Sequence, residues 1–124
     1  MSCSRRMCCE NMRIFVAGPY GDHNPKEIIT ANVARADKVA RDLMAQGHQV
    51  YCPHKASWGW EDDPRLTREQ YLELDRSFLR YWAEGIIRIP GDSPGADGEM
   101  TLATWLGLQV LDFEKFLNAS EGGE

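Results

Sequence analysis

The period of apolar residues along this chain switches repeatedly between that of a buried strand and that of a helix. Arg13-Ile14-Phe15-Val16-Ala17 is a short, continuous run of β-formers halted by Gly18-Pro19, which predicts a buried strand. A polar loop from Tyr20 to Lys26 follows. Apolar residues then recur at Ile29, Val33, Ala36, Ala40 and Leu43, a helical spacing that Gly47 closes. His48-Gln49-Val50-Tyr51-Cys52 predicts a second strand ended by Pro53, and a loop carries Trp58, Trp60 and the acidic run Glu61-Asp62-Asp63.

Further along, Thr67 with Gln70 three residues later forms a capping box that opens a helix reaching about Trp82. Gly85 to Ile89 predicts a third strand, stopped by Pro90-Gly91. Ser93-Pro94 then supplies an N-cap followed by proline at the first helical position, opening a helix that runs to Gly107. Leu108 to Leu111 predicts a fourth strand, and 112–118 a short closing helix.

This alternation predicts right-handed βαβ units in a single-domain α/β fold, with a parallel sheet of four to five strands and helices on both faces, flavodoxin-like or Rossmann-like. The folded domain is expected over 12–118, between a loose leader at 1–11 and a fraying tail at 119–124. Ligands of such sheets bind beyond the carboxyl ends of the strands, where strand order reverses. A strand order 2-1-3-4 would put the crevice between Gly18–Asn24 and Gly91–Gly95, the two most glycine-rich loops.

Composition narrows the function classes. The chain has 124 residues and a formal net charge of −5, with 43% hydrophobic and 27% charged residues, as in a globular domain. An acidic chain is poorly suited to gripping the backbone of a nucleic-acid polymer. No apolar run approaches the roughly 20 residues of a membrane-spanning helix. Three of the four cysteines (Cys3, Cys8 and Cys9) crowd the leader without a zinc-ligand spacing, and Cys52 lies in an apolar run as a buried thiol. A reducing cytoplasm is therefore expected, with no metal and no cofactor.

Two carboxylates stand out. On the predicted second helix Tyr71, Phe78 and Trp82 mark an inward line, and Asp75 falls on it. On the third, Ala96, Met100 and Ala103 face inward with Glu99 beside them. An acid on an apolar face costs free energy unless it is paired or borders a cleft. Two acids converging on one cleft are equipment for glycosidic chemistry. The competing reading is structural: Arg76, Arg80 or Arg88 could neutralise Asp75, and Glu99 could merely complement its helix dipole.

The loop Gly91-Asp92-Ser93-Pro94-Gly95-Ala96 offers a helix N-terminus, a hydroxyl and small residues to an anion, or serves as an ordinary helix cap. GxGxxG and GxxxxGK[ST] are both absent. His54, just past the second strand, is either a ligand contact or a solvated loop residue, while His23 and His48 are structural or exposed. Trp58 and Trp60 form either a lid that stacks on a base or packing over the sheet edge. Tyr20, after Gly18-Pro19, is placed to orient a carboxylate through its hydroxyl.

The string IFVAGPY, Asn32, GHQVYCPH, Asp75 and GDSPGADGE resemble the nucleoside 2-deoxyribosyltransferase-like superfamily, nearest its small bacterial and phage branch. The resemblance covers about residues 13–112. It implies that Glu99 attacks or stabilises C1′ of a sugar and that Asp75 protonates the leaving base or holds the sugar. A serine six positions before the glutamate, here Ser93, implies a 5′-phosphate. The implied activity is an N-glycosidase acting on a nucleoside 5′-monophosphate. The alternatives are 2-deoxyribosyl transfer between bases, or a non-catalytic nucleotide-binding or sensing domain.

Substrate contacts are expected at Gly18, Pro19, His54, Asp92, Ser93, Gly95 and Ala96, with Tyr20 assisting Glu99 and Asp75. Two departures motivate the non-catalytic alternative. The first-strand tyrosine of the superfamily is matched to Ile14, and the following loop has Gly18 and Tyr20 where the hydrolases carry Ser and Arg. The resemblance also implies a homo-oligomer, a dimer or larger, which Trp82, Trp105 and Phe113 favour if they do not all fit inside.

Overall fold

A computed structural model of the chain describes residues 11–20, 25–56, 59–60 and 63–116. The leader cysteines, His23, Trp58, the Glu61-Asp62 pair and the tail lie outside the described residues. Strand β1 (Arg13–Ala17) is followed by helix α1 (Lys26–Ala45), β2 (Gln49–Tyr51), a short α2 (Pro53–Ala56) and α3 (Arg68–Tyr81). Then come β3 (Gly85–Arg88), α4 (Pro94–Leu106) and β4 (Gln109–Leu111). A helical turn over 113–116 follows, with the Asp112 carboxylate accepting from Lys115 N–H at 2.9 Å.

All pairings are parallel and the order is β2-β1-β3-β4, the doubly wound arrangement expected of the strand–helix alternation. The sheet is a single four-stranded α/β layer, as the periodicity predicts.

Helix signals act where the sequence places them. The Thr67 hydroxyl accepts from Gln70 N–H at 3.2 Å, while the Gln70 side chain accepts from Thr67 N–H at 2.7 Å. Ser93 Oγ accepts from Ala96 N–H at 3.1 Å, with Pro94 opening α4. Three strands are shorter than predicted: β3 ends one residue early, at Arg88, and β2 and β4 start one residue late because the preceding helix ends claim their flanking backbone groups. His48 N–H bonds back to Leu43 O, and Leu108 N–H to Ala103 O, so both residues finish helices instead of starting strands. Cys52 O accepts from Lys55 and Ala56 N–H, which turns 53–56 into α2 where the sequence reading has only loop. Pro53 suits the first helical position, where no N–H is needed.

Strand residues alternate between two cores. Ile14, Val16, Ile87 and Ile89 pack with Val39, Leu43 and Ala36 of α1. Phe15, Ala17 and Ile86 pack on the opposite side with Leu79 of α3 and Ala96 and Ala103 of α4. Ile14 therefore faces away from α4, and the β1 residue on the Glu99 side is Phe15. The two-residue period of a strand sends these consecutive side chains to opposite faces, so Ile14 itself does not border the Glu99 side.

The aromatic residues suggested as surplus divide. Trp82 is half-buried, with its ring edge-on to Phe78 at 5.8 Å, and Phe113 packs against the α1 core. Trp105 is 81% exposed.

Candidate active site

Helices α3 and α4 lie side by side on one face of the sheet, opposite α1. Each turns an i, i+3, i+7 line inward. On α4 it is Ala96, Glu99 and Ala103; on α3 it is Leu72, Asp75 and Leu79. Leu79 is the fully buried residue of α3, whereas Tyr71 turns its hydroxyl out to the Trp60 carbonyl at 2.9 Å. Each carboxylate thus occupies the middle of an otherwise apolar stripe. A cleft of about 360 Å³ opens between the two helices. Its floor and walls are Leu72, Asp75, Pro94, Gly95, Gly98, Glu99 and Leu102, and Arg68, Arg76 and Arg80 line its α3 side.

Both acids hold their protons unusually firmly. Burial pushes Glu99 up to about 8; the nearby Asp75 charge pushes the same way, while Arg88 pulls it down. Burial likewise raises Asp75 to about 6, opposed by a hydrogen bond from Tyr51 and by the Arg76 charge. Arg88 does not pair with Glu99. It is spent on Asp97 at 2.8 Å and on the carbonyls of Ile89 at 2.7 Å and Gly91 at 3.0 Å, lacing the loop ahead of α4. Arg76 pairs with Glu69 at 3.1 Å and Glu73 at 3.5 Å. The structural alternative for Asp75, an ion pair with Arg76, Arg80 or Arg88, has no counterpart among the described salt bridges. A buried acid pair with perturbed proton affinity in a cleft marks a candidate catalytic site.

The cleft gathers Asp75, Glu99 and Gly95 of the expected site residues. Ser93 sits at its edge with Oγ occupied as the α4 cap, and Ala96, 2% exposed, lies beneath. Asp92 is exposed in the preceding loop. Gly18, Pro19, Tyr20 and His54 form a separate cluster around the end of β1. There Gly18-Pro19, at the start of the loop after β1, packs directly on Ile89 and Gly91 after β3, while 21–24 of the expected crevice lie outside the described residues. A Cβ at Gly18 would meet Ile89 Cβ at 2.9 Å, and one at Gly91, where φ is +134°, would meet Pro19 Cγ at 2.6 Å. The two glycines therefore let these described segments touch, and the cleft holding the two acids lies on the α3 side of the α4 N-terminus.

His54 is neither solvated nor in the cleft. It is 6% exposed, with Nε2 2.8 Å from the Pro19 carbonyl and its ring edge-on to Tyr20 at 5.7 Å. Burial lowers its proton affinity, so the neutral ring donates to that carbonyl. Asn32, the α1 residue of the resemblance, donates to the Tyr20 carbonyl at 3.1 Å. Together these residues pin the loop after β1. His48 is buried too, accepting from Met12 N–H at 3.1 Å.

Sequence reasoning missed Tyr51. Its hydroxyl donates to Asp75 Oδ1 at 3.3 Å, its ring stacks on Phe78 at 3.7 Å, and it is the β2 partner of Phe15 in the register. In sequence it reads as one more strand aromatic. Its position two residues from Pro53, which marks the ligand-binding end of the strand, was the available signal. Among the described residues no group of three or more His, Cys, Asp or Glu is arranged to hold a metal ion. No described helix is long and apolar enough to cross a membrane.

No model of a known protein family matches the chain, and no curated protein sequence matches it. Among solved structures, the chain is similar to a 2-deoxyribosyltransferase from the psychrotolerant bacterium Bacillus psychrosaccharolyticus, a biocatalyst for the synthesis of nucleosides. Identity is 24%, the match covers 81% of this chain and 70% of that one, and the TM-score is 0.57. At that identity the likeness is one of fold: the two chains share the parallel α/β architecture.

Proposed function

We propose that this domain breaks the N-glycosidic bond of a nucleoside 5′-monophosphate, giving free base and sugar phosphate. The observation that carries the reading is the pair of proton-retaining carboxylates, Asp75 and Glu99, facing one cleft from adjacent helices. With values of about 6 and 8, the pair holds one proton at neutral pH. One acid is then available to attack and the other to donate.

In the proposed cycle ionised Glu99 attacks C1′, the C1′–N bond breaks, and the base leaves with the proton carried by Asp75. In the free cleft the proton rests on Glu99, so it must pass to Asp75 as positive charge develops on the sugar. That charge favours the ionised form of the nearer acid. Water, losing a proton to Asp75, then attacks C1′ and frees Glu99.

Arg68, Arg76 and Arg80 on the cleft wall support an anionic substrate, as does Ser93, whose O–H remains a donor while its oxygen caps α4. The small Gly95 and Gly98 permit close approach. The likeness of fold to a 2-deoxyribosyltransferase favours a second reading, in which another base takes the place of water. We also propose that the chain forms a homo-oligomer in the cytoplasm, covering Trp105 (81% exposed) and Tyr81 (84% exposed); sedimentation as a monomer would refute the assembly.

The test is incubation of the purified protein with ribo- and deoxyribonucleotides, with and without a second base, followed by chromatography. Hydrolysis gives free base and sugar phosphate in both cases, whereas transfer gives a new nucleotide only when the second base is present. Tight nucleotide binding with neither product would establish the non-catalytic alternative.

A further inference from the structure

A hydroxyl bonded to the carboxylate pair comes from β2. Tyr51 O–H donates to Asp75 Oδ1 at 3.3 Å, and the Tyr51 ring is fixed between Phe78, stacked at 3.7 Å, and Phe15, tilted at 5.6 Å. A ring clamped on both sides cannot swing its hydroxyl away without breaking the stack. Burial and the two acids push the phenol well above its ordinary proton affinity, so it remains a donor throughout the working pH range. Phe15, the β1 residue on this side, has no hydroxyl, and Tyr20 turns its ring to His54 instead.

We infer that Tyr51 is the positioning residue of the carboxylate pair: by donating to Oδ1 of Asp75 it fixes the carboxyl plane and leaves Oδ2 as the oxygen that takes the proton from Glu99 once substrate is bound. A donor to an ionised carboxylate favours the charged form. Tyr51 therefore keeps Asp75 ionised in the free cleft and holds the proton on Glu99 until substrate arrives. The charged and titratable groups around the pair are Tyr51 from β2, Arg76 beside Asp75 on α3, and Arg88 from β3 acting on Glu99. Arg68 and Arg80 complete the α3 wall. Of these, Tyr51 is the group with a hydrogen bond to Asp75 among the described residues.

The catalytic consequence rests on the function proposed above, but the proton placement can be read without substrate. Side-chain carboxyl carbons are followed by NMR across pH 4 to 9 in the wild type, Tyr51→Phe, and both Asp75→Asn and Asp75→Asn/Tyr51→Phe. Tyr51→Phe keeps the ring stack, so the melting temperature should hardly move. Loss of the donor should raise the Asp75 titration by about one pH unit. In the Asp75→Asn background the same change should leave Glu99 where it was.

If base release is measurable, Tyr51→Phe should lower kcat about tenfold with KM unchanged, and move the acid limb of the rate profile upward. An Asp75 titration unchanged by Tyr51→Phe would overturn the inference even in an active enzyme. A raised Asp75 titration in a protein that releases no base would support it while removing the proposed reaction.

Discussion

The two faces of this sheet are built from the same β1 residues and do opposite things. On the α1 face, Ile14 and Val16 meet Val39, Ala36 and Leu43 in a core that holds no buried Asp, Glu, Lys or Arg among the described residues. On the α3–α4 face, Phe15 and Ala17 meet Leu79, Ala96 and Ala103, but the stripes that cover them carry Asp75 and Glu99 in their middle positions. The first face obeys the rule that apolar burial stabilises and unpaired charge does not. The second departs from that rule at two positions on neighbouring helices, at the end of the sheet where ligands bind in such folds. A domain this small can tolerate few such departures, so their coincidence in one cleft argues for function.

The contrast can be broken from either side. Glu99→Gln should have the largest effect on activity, lowering base release by about a thousandfold or more while the fold persists, because an amide cannot attack C1′. Asp75→Asn should cost about a hundredfold through loss of the acid. Circular dichroism alongside the assay separates these losses from unfolding.

On the other face, Leu43→Ala deletes a fully buried side chain and should destabilise by about 3 kcal/mol in denaturant titration. The Asp75 and Glu99 titrations should stay where they are, since Leu43 lies across the sheet. A shift of either acid in that variant would mean that the faces are not independent.

A smaller effect is predicted for pH. The folded chain holds the Glu99 proton up to about 8, against an ordinary value of 4.5. The native state therefore binds more protons than the unfolded chain between those values, and stability is lost as pH rises through the folded value. The lowered proton affinities of His48 and His54 act below about pH 6.5 and in the opposite sense, leaving the upper part of the window clear. The melting temperature should accordingly fall by several degrees from pH 6.5 to 8.5, and Glu99→Gln should flatten that fall. The smallest change is Thr67→Ala, which removes the α3 cap and should cost about 1 kcal/mol by the same denaturant titration.

Much of this contrast is legible in the sequence, because it rests on local rules. The Thr67–Gln70 and Ser93–Pro94 starts are fixed by side chains reaching backbone within one helical turn. Asp75 and Glu99 betray themselves by falling on apolar lines. Features that depend on how elements meet are harder to read. Which face Ile14 takes depends on strand orientation, and a shift of one residue exchanges it with Phe15. Tyr51 belongs to a three-residue strand whose pattern cannot distinguish a core aromatic from a hydroxyl aimed at α3. The α2 turn is hidden because proline stops a strand and opens a helix equally well. His54 reads as a loop residue, yet its burial against Pro19 makes it a clamp on the β1 loop.

The most direct test of the central claim asks whether Glu99 is bonded to the sugar during turnover. The protein is mixed with a nucleoside 5′-monophosphate bearing fluorine at C2′, which slows breakdown of a glycosyl intermediate by destabilising positive charge at C1′. The digested protein is then mapped by mass spectrometry. The account predicts that the sugar phosphate is found on the peptide containing Glu99, at that side chain, and is absent from Glu99→Gln. Base release with no adduct on Glu99, or an adduct on another residue, would contradict it.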